Sequence, residues 1–229
     1  MISENGSQQI RALLFDMDGL LFDSERVVQR TWNMAGEELG VGRVGEQIYH
    51  TLGLNLKSRT AFFYKIYGSD FPMDVFSQKT REYFRQIEED EGIPLKTGVR
   101  EILQFGKDHG YRMCVVTSSR REHSAYMLKK GKIDSFFDGM VCGDMVQKAK
   151  PDPEIYLKAA EVLAVKPEQC IALEDSPNGI RSAYAAGMYP VMVPDLVAPD
   201  KEITKLAFSV AENLLEVRAI LEKWTKSGI

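Results

Sequence analysis

The chain has 229 residues, 44% of them hydrophobic, and a formal net charge of -4 at pH 7. That apolar share supports a substantial core and excludes an intrinsically disordered chain, and the slightly acidic balance leaves no electrostatic footprint for nucleic acid. No apolar run approaches the roughly 20 residues of a membrane helix, and MISENGSQQIRA lacks a basic-then-apolar leader, so a cytoplasmic protein is expected.

The first strand is expected at RALLFD, residues 11–16, inside the longer stretch LLFDMDGLLFDSE. Side chains at i and i+2 of an extended chain share a side, so Asp16 and Asp18 face one way and Met17 the other. Carboxylates in so apolar a stretch are costly unless a cation or a proton compensates them. The plainer alternative is a strand that simply runs into an Asp-Gly turn.

From Ser24 to Ile93 the pattern holds no convincing strand, only helical segments such as SERVVQRTWNMAGEEL and MDVFSQKTREYFRQIEED. A helical subdomain inserted after the first strand is therefore expected. GVGRVG, residues 40–45, matches the GxGxxG pattern of dinucleotide sites, but such a site needs its glycines directly after a strand. Here they follow a helical pattern, and Gly40 reads as a helix C-cap. GIPLKTGV, with Gly92, Pro94 and Gly98, is the expected return hinge.

Beyond the hinge, YRMCVVTSS, GMVCGD, QCIALED and YPVMVPD read as strands. EILQFGKDHG, SAYMLKKG, PEIYLKAAEVLA, IRSAYAAG and LLEVRAILEKW have helical spacing. Alternating strands and helices predict an α/β fold, a doubly wound parallel sheet with a Rossmann-like core. The expected division is a core of residues 1–23 and 94–229 and a helical cap subdomain of residues 24–93. Cys114, Cys142 and Cys170 are far apart and set among apolar residues, as for buried structural thiols. His50, His109 and His123 are scattered, and no GxSxG surrounds a serine, so nothing points to a Ser/His hydrolase.

The polar residues gather where strands end. Asp16 and Asp18 close the first strand, Thr117, Ser118 and Ser119 the second, Lys150 precedes Pro151, and Glu174 and Asp175 close a later strand. Each has an ordinary explanation. The hydroxyls could cap a helix, Lys150 could be solvated, and the acids could serve a helix N-terminus where Ser176 is the cap and Pro177 the first residue. Together those explanations weaken, because ligands bind at the carboxyl ends of strands in open parallel sheets. Carboxylates with few compensating cations suit a hard cation such as Mg2+, a hydroxyl with backbone N–H groups suits an anion, and a lysine supplies a point charge for phosphate. The chemistry these residues share is phosphoryl transfer.

The ordered set DMDG, TSS, KP and ED resembles the haloacid dehalogenase superfamily, and DGLLFDSE and EDSPNGIRSAYAAGM resemble its beta-phosphoglucomutase-like sugar phosphatases. The resemblance spans almost the whole chain. It implies a Mg2+-dependent phosphoric monoester hydrolase in which Asp16 is the nucleophile, forming an aspartyl-phosphate, and Asp18 is the general acid and base. It implies that Asp16, the Asp18 carbonyl and Asp175 hold Mg2+, with Glu174 as a further ligand or a support. Thr117, the Ser118 amide and Lys150 would bind phosphoryl oxygens, and Lys150-Pro151 would be a cis peptide. Asp23 is left over, and is expected to anchor the turn into the cap.

A phosphomutase is the alternative. Phosphoglucomutases of this subgroup carry a histidine in the stretch aligned with ERVVQRTW, where this chain has Val27 and Val28 and no histidine. A dehalogenase would need neither Asp18 nor Asp175. A non-enzymatic phospho-receiver would be about half this length and have no helical insert. TLGLNLKSRT, residues 51–60, resembles the substrate-facing cap segment of the relatives, making Asn55, Lys57 and Arg59 candidate contacts to the organic part of the substrate. The expected substrate is a small phosphorylated metabolite, hexose or pentose phosphates being favoured. No nucleic-acid or membrane partner is expected, and a monomer is.

Overall fold

A computed structural model describes residues 9–51 and 56–227 of the chain. A six-stranded sheet lies at its centre, in the order β3-β2-β1-β4-β5-β6. The strands are β1 (Ala12–Phe15), β2 (Arg112–Thr117), β3 (Gly139–Cys142), β4 (Cys170–Glu174), β5 (Tyr189–Met192) and β6 (Ser209–Val210), and every pairing is parallel. β1 is fully buried, and its register sets Phe15 beside Val115 on one side and Leu173 on the other. Strands covered on both faces need no polar alternation, which is why ALLF and CIAL are continuous apolar runs.

The chain divides into two compact units: the described residues up to Phe22 with those from Pro94 on, and Asp23–Ile93. In the first unit the sheet is flanked by α5 (Val99–Asp108), α6 (Arg121–Lys130), α7 (Glu154–Val162), α8 (Pro177–Ala185), α9 (Lys201–Leu206) and α10 (Leu214–Ser227). Leu14, Cys114, Val116, Val141 and Ala172 share one sheet face and pack with Ile155, Tyr156, Ala159 and Ala183 of α7 and α8. All nine are at most 1% exposed, so this face carries a dense core.

The second unit holds α1 (Ser24–Glu38), α2 (Ile48–Thr51), α3 (Leu56–Tyr67) and α4 (Met73–Asp90), with no strand among its described residues. Its core is aromatic: Phe63 meets Trp32 at 5.3 Å, Phe71 at 5.1 Å and Phe76 at 5.3 Å between ring centroids. Such tilted and edge-on contacts add to the burial of the rings themselves. At the end of α1, Gly40 has φ of 72° and its N–H donates to the Glu37 carbonyl, so the glycine run terminates a helix and opens no dinucleotide site.

β6 and α9 were not among the elements expected from the sequence. β6 pairs through only Val191↔Ser209 and Met192↔Val210, too short a stretch to carry an alternating pattern. No helix among the described residues is long and apolar enough to cross a membrane.

Candidate active site

The strand order reverses at β1, with β2 and β3 on one side and β4 to β6 on the other, and in such sheets the crevice at the carboxyl ends of the strands is the ligand site. Asp16 follows β1 there and Glu174 ends β4 beside it, the Asp16 N–H donating to the Leu173 carbonyl at 3.0 Å.

Lys150 reaches into this crevice from the loop before α7. Its Nζ donates to Asp16 Oδ1 at 2.5 Å, to Glu174 Oε1 at 2.6 Å and to the Val116 carbonyl at 3.0 Å. The Lys150 side chain is 7% exposed, those of Asp16 and Glu174 10% and 0%. Burial pushes the Asp16 carboxyl up, to about 8, against the pull of Lys150. The same burial pushes Lys150 down, yet the Asp16 and Glu174 carboxylates outweigh it and its pKa is raised. The peptide bond between Lys150 and Pro151 is cis.

Glu174 is fixed from several directions. Besides Lys150, its Oε1 accepts from the Tyr156 hydroxyl at 2.6 Å and its Oε2 from Ser176 Oγ at 3.1 Å. Ser176 also caps α8, accepting from the Gly179 N–H at 3.1 Å, with Pro177 at the first helical position. A Cβ on Gly179 would fall on the Glu174 carboxylate, and one on Gly19, whose φ is 83°, on Asp175 Oδ2. These glycines let backbone lie directly against acidic groups.

Carboxylate oxygens of Asp16, Glu174 and Asp175 lie within 4.8 Å of one another. An all-oxygen, net-negative set of this kind fits a hard divalent cation. Glu174 fits least as a direct ligand, since its two oxygens already accept three hydrogen bonds. Asp18 is partly exposed and takes a hydrogen bond from Ser119 Oγ to its Oδ2 at 2.8 Å. Thr117 is buried at the end of β2, its Oγ1 accepting from the Ser119 N–H at 3.0 Å. These hydroxyls therefore do not cap the next helix: α6 begins at Arg121, and its N-cap position is Arg120. Ser118 is exposed.

Of the cap residues, Asn55 lies outside the described residues, Lys57 is exposed on α3, and Arg59 sits beside Trp32 with its guanidinium carbon 5.9 Å from the ring centroid. Asp23 precedes α1 and pairs with Arg26 at 3.3 Å. Sequence reasoning missed Tyr156 and gave no role to Ser119. Tyr156 falls within an apolar helical repeat, where nothing marks its hydroxyl as facing a carboxylate. Ser119 belongs to a run of hydroxyls, and which of them turns toward Asp18 is fixed only by the turn after β2.

The model of the family described as haloacid dehalogenase-like hydrolase matches residues 13–193, from β1 to just past β5. This chain belongs to the haloacid dehalogenase-like hydrolases. A phosphorylated carbohydrates phosphatase of Thermotoga maritima is 29% identical over 179 residues, 78% of this chain and 82% of its own length. Hexitol phosphatase B of Escherichia coli K12 is 30% identical over 91% of this chain and 98% of its own. Among solved structures, a haloacid dehalogenase family hydrolase from Deinococcus radiodurans R1, with bound phosphate and sodium, aligns with a TM-score of 0.82 at 25% identity, covering 95% of this chain and 97% of that one. The chain is thus an enzyme of the hydrolase class on a haloacid dehalogenase fold, among relatives that are phosphatases.

Proposed function

We propose that this haloacid dehalogenase-like hydrolase is a Mg2+-dependent phosphatase acting on a small phosphomonoester, a sugar phosphate foremost, through an aspartyl-phosphate on Asp16. The observation that carries the proposal is the clamp on Asp16. Lys150 holds its Oδ1 at 2.5 Å, which fixes the carboxylate and leaves Oδ2 as the oxygen to attack phosphorus. The phosphatases among the relatives supply the reaction class.

In this mechanism Asp16 Oδ2 displaces the alcohol from phosphorus while Asp18, oriented by Ser119 Oγ, gives the leaving oxygen its proton. Asp18, now ionised, takes a proton from water as that water attacks the phosphorus of the aspartyl-phosphate, releasing inorganic phosphate and restoring Asp16. Lys150, Thr117 and the Ser118 N–H hold the phosphoryl oxygens. Asp16, Asp175 and the Asp18 carbonyl would hold Mg2+, with Glu174 as their support; the ion supplies charge neutralisation for the phosphoryl group. Residues 24–93 are the substrate-selecting insert.

The test is Mg2+-dependent phosphate release from a panel of sugar phosphates, nucleotides and phospho-acids, with Asp16→Asn as control. Release concentrated on a few sugar phosphates and absent from Asp16→Asn is expected. Appreciable Mg2+-dependent release by pure Asp16→Asn would overturn the assignment of Asp16.

A further inference from the structure

Within the core unit, Asp195 follows β5 on a loop at the carboxyl end of the sheet, and Lys96 lies on the stretch that leads into α5. Lys96 Nζ donates to Asp195 Oδ1 at 2.5 Å, joining residues 99 apart in the sequence. The Asp195 side chain is 3% exposed and that of Lys96 21%. The other carboxylate oxygen, Asp195 Oδ2, is buried with no hydrogen-bond partner among the described residues. A buried acceptor left short of a donor is costly, so packing alone gives no reason for an acid at this position. Nor does Asp195 cap a helix: α9 is capped by Asp200, whose Oδ1 accepts from the Ile203 N–H at 2.8 Å.

Each end of the pair is tied to a different part of the candidate active site. The Lys96 N–H donates to the Leu21 carbonyl at 3.0 Å, and Leu95 forms an antiparallel bridge with Phe22. Leu21 and Phe22 close the turn that carries Asp18: their N–H groups donate to the Met17 carbonyl at 2.9 and 3.1 Å, and the Gly19 N–H donates to the Phe22 carbonyl at 3.0 Å. At the other end, two residues before Asp195, the Val193 N–H donates to the Glu174 carbonyl at 2.7 Å. The ion pair thus closes a ring from the Asp18 turn, through Lys96 and Asp195, to the acidic end of β4. Inside that ring a Cβ on Gly19 would fall 2.2 Å from Asp175 Oδ2, so the turn and the acids are held at minimal spacing. A largely buried pair is screened far less than one at the surface, which suits it to hold such a spacing.

We infer that Lys96 and Asp195 are positioning residues, their ion pair holding the Asp18 turn against the acidic end of β4. They act through Asp18 and Asp175 rather than on the reacting atoms. The consequence for turnover rests on the phosphatase proposal, in which Asp18 must stand where it can give its proton to the leaving oxygen. A second consequence does not: the amides of Gly19, Leu21 and Phe22 are protected by the turn that the pair holds.

The test uses the full-length chain as Lys96→Met, as Asp195→Asn and as the double variant. Hydrogen exchange of the metal-free protein, read by mass spectrometry on peptides covering residues 17–22 and 112–117, is independent of turnover. Exchange over 17–22 should quicken about tenfold in each single variant while β2 is unchanged. With p-nitrophenyl phosphate and saturating Mg2+, kcat should fall about tenfold or more and KM should change little, because a displaced acid weakens the transition state and not the ground state. The double variant should be no worse than the poorer single one, the mark of two residues acting as a unit. Should Lys96→Met fail to fold for the charge it strands, the double variant, in which that charge is also removed, carries the same test. Equal quickening in both peptides, unchanged exchange over 17–22, wild-type kcat in the variants, or losses that add in the double variant would overturn the inference. A wild-type protein that releases no phosphate would count against the phosphatase proposal, and the exchange comparison would still decide whether the pair holds the turn.

Discussion

Lys150 stands between Asp16 and Glu174, its single ammonium group shared by two carboxylates at 2.5 and 2.6 Å. All three side chains are at most 10% exposed, so neither solvent nor salt can replace the lysine. Removing one partner of a buried ion pair leaves an uncompensated charge, at a cost of about 3–5 kcal/mol. Lys150→Met should destabilise the metal-free protein by that order. The loss should be smaller at pH 5 than at pH 8, because protons can neutralise the orphaned carboxylates at the lower pH. Denaturant unfolding at the two pH values checks this; a loss that is the same at both would show that the pair is not what the lysine neutralises.

Tyr156 donates to the same Glu174 oxygen that Lys150 holds, from a side chain that is fully buried. Tyr156→Phe keeps the ring against the core and deletes only the hydroxyl. We expect a stability loss of about 1–3 kcal/mol, the usual cost of leaving a buried acceptor short of a donor. Phosphate release should fall through kcat, with KM changed less, since the hydroxyl acts through Glu174 and Lys150. A variant with wild-type kcat would remove Tyr156 from the positioning set.

How much of this was legible beforehand depended on where the information lies. The parallel sheet could be read because ALLF, MCVV and CIAL are uninterrupted apolar runs followed by polar clusters, and the strand-end rule then placed Asp16, Thr117 and Glu174 on one edge. The Ser176 cap and the Pro177 helix start are local and were legible for that reason. The Tyr156–Glu174 bond joins residues 18 apart through the packing of α7 on the sheet, which periodicity alone cannot resolve. Glu174 was expected as a further metal ligand or a support; that its oxygens accept from Lys150, Tyr156 and Ser176 depends on packing around β4 that adjacent acids in a sequence do not reveal. β6 was too brief to signal at all.

Gly179 tests how tightly the acidic edge is packed. Its φ is not in the left-handed region, so alanine would ordinarily be favoured within a helix. A Cβ there would nevertheless coincide with the Glu174 carboxylate. Gly179→Ala should therefore reduce phosphate release and stability together, while Asn178→Ala, one residue earlier on an exposed position, should change neither much. Comparable behaviour of the two variants would mean that Glu174 can move without consequence.

The thiols should be silent. Burial pushes Cys114 and Cys170 up to about 12 and raises Cys142 as well, so at pH 8 almost no thiolate forms in the folded protein. Iodoacetamide should modify none of them at pH 8 until denaturant is added, as followed by mass spectrometry. Rapid alkylation of the folded chain would contradict their burial.

The last prediction concerns competition between a proton and a cation at Asp16. In the metal-free protein burial holds its carboxyl up at about 8, so below that pH the carboxyl keeps its proton. A divalent cation binding the carboxylate must displace that proton, and linkage then makes apparent affinity rise about tenfold for each pH unit below about 8 and level off above it. Mn2+ titrations followed by electron paramagnetic resonance between pH 6 and pH 9 measure this directly. Asp16→Asn, which cannot ionise at that position, should bind Mn2+ more weakly and with a flatter pH profile. Affinity that is level from pH 6 to pH 9 in the wild-type protein would mean that Asp16 does not surrender a proton to the cation, and would move the metal site away from the end of β1.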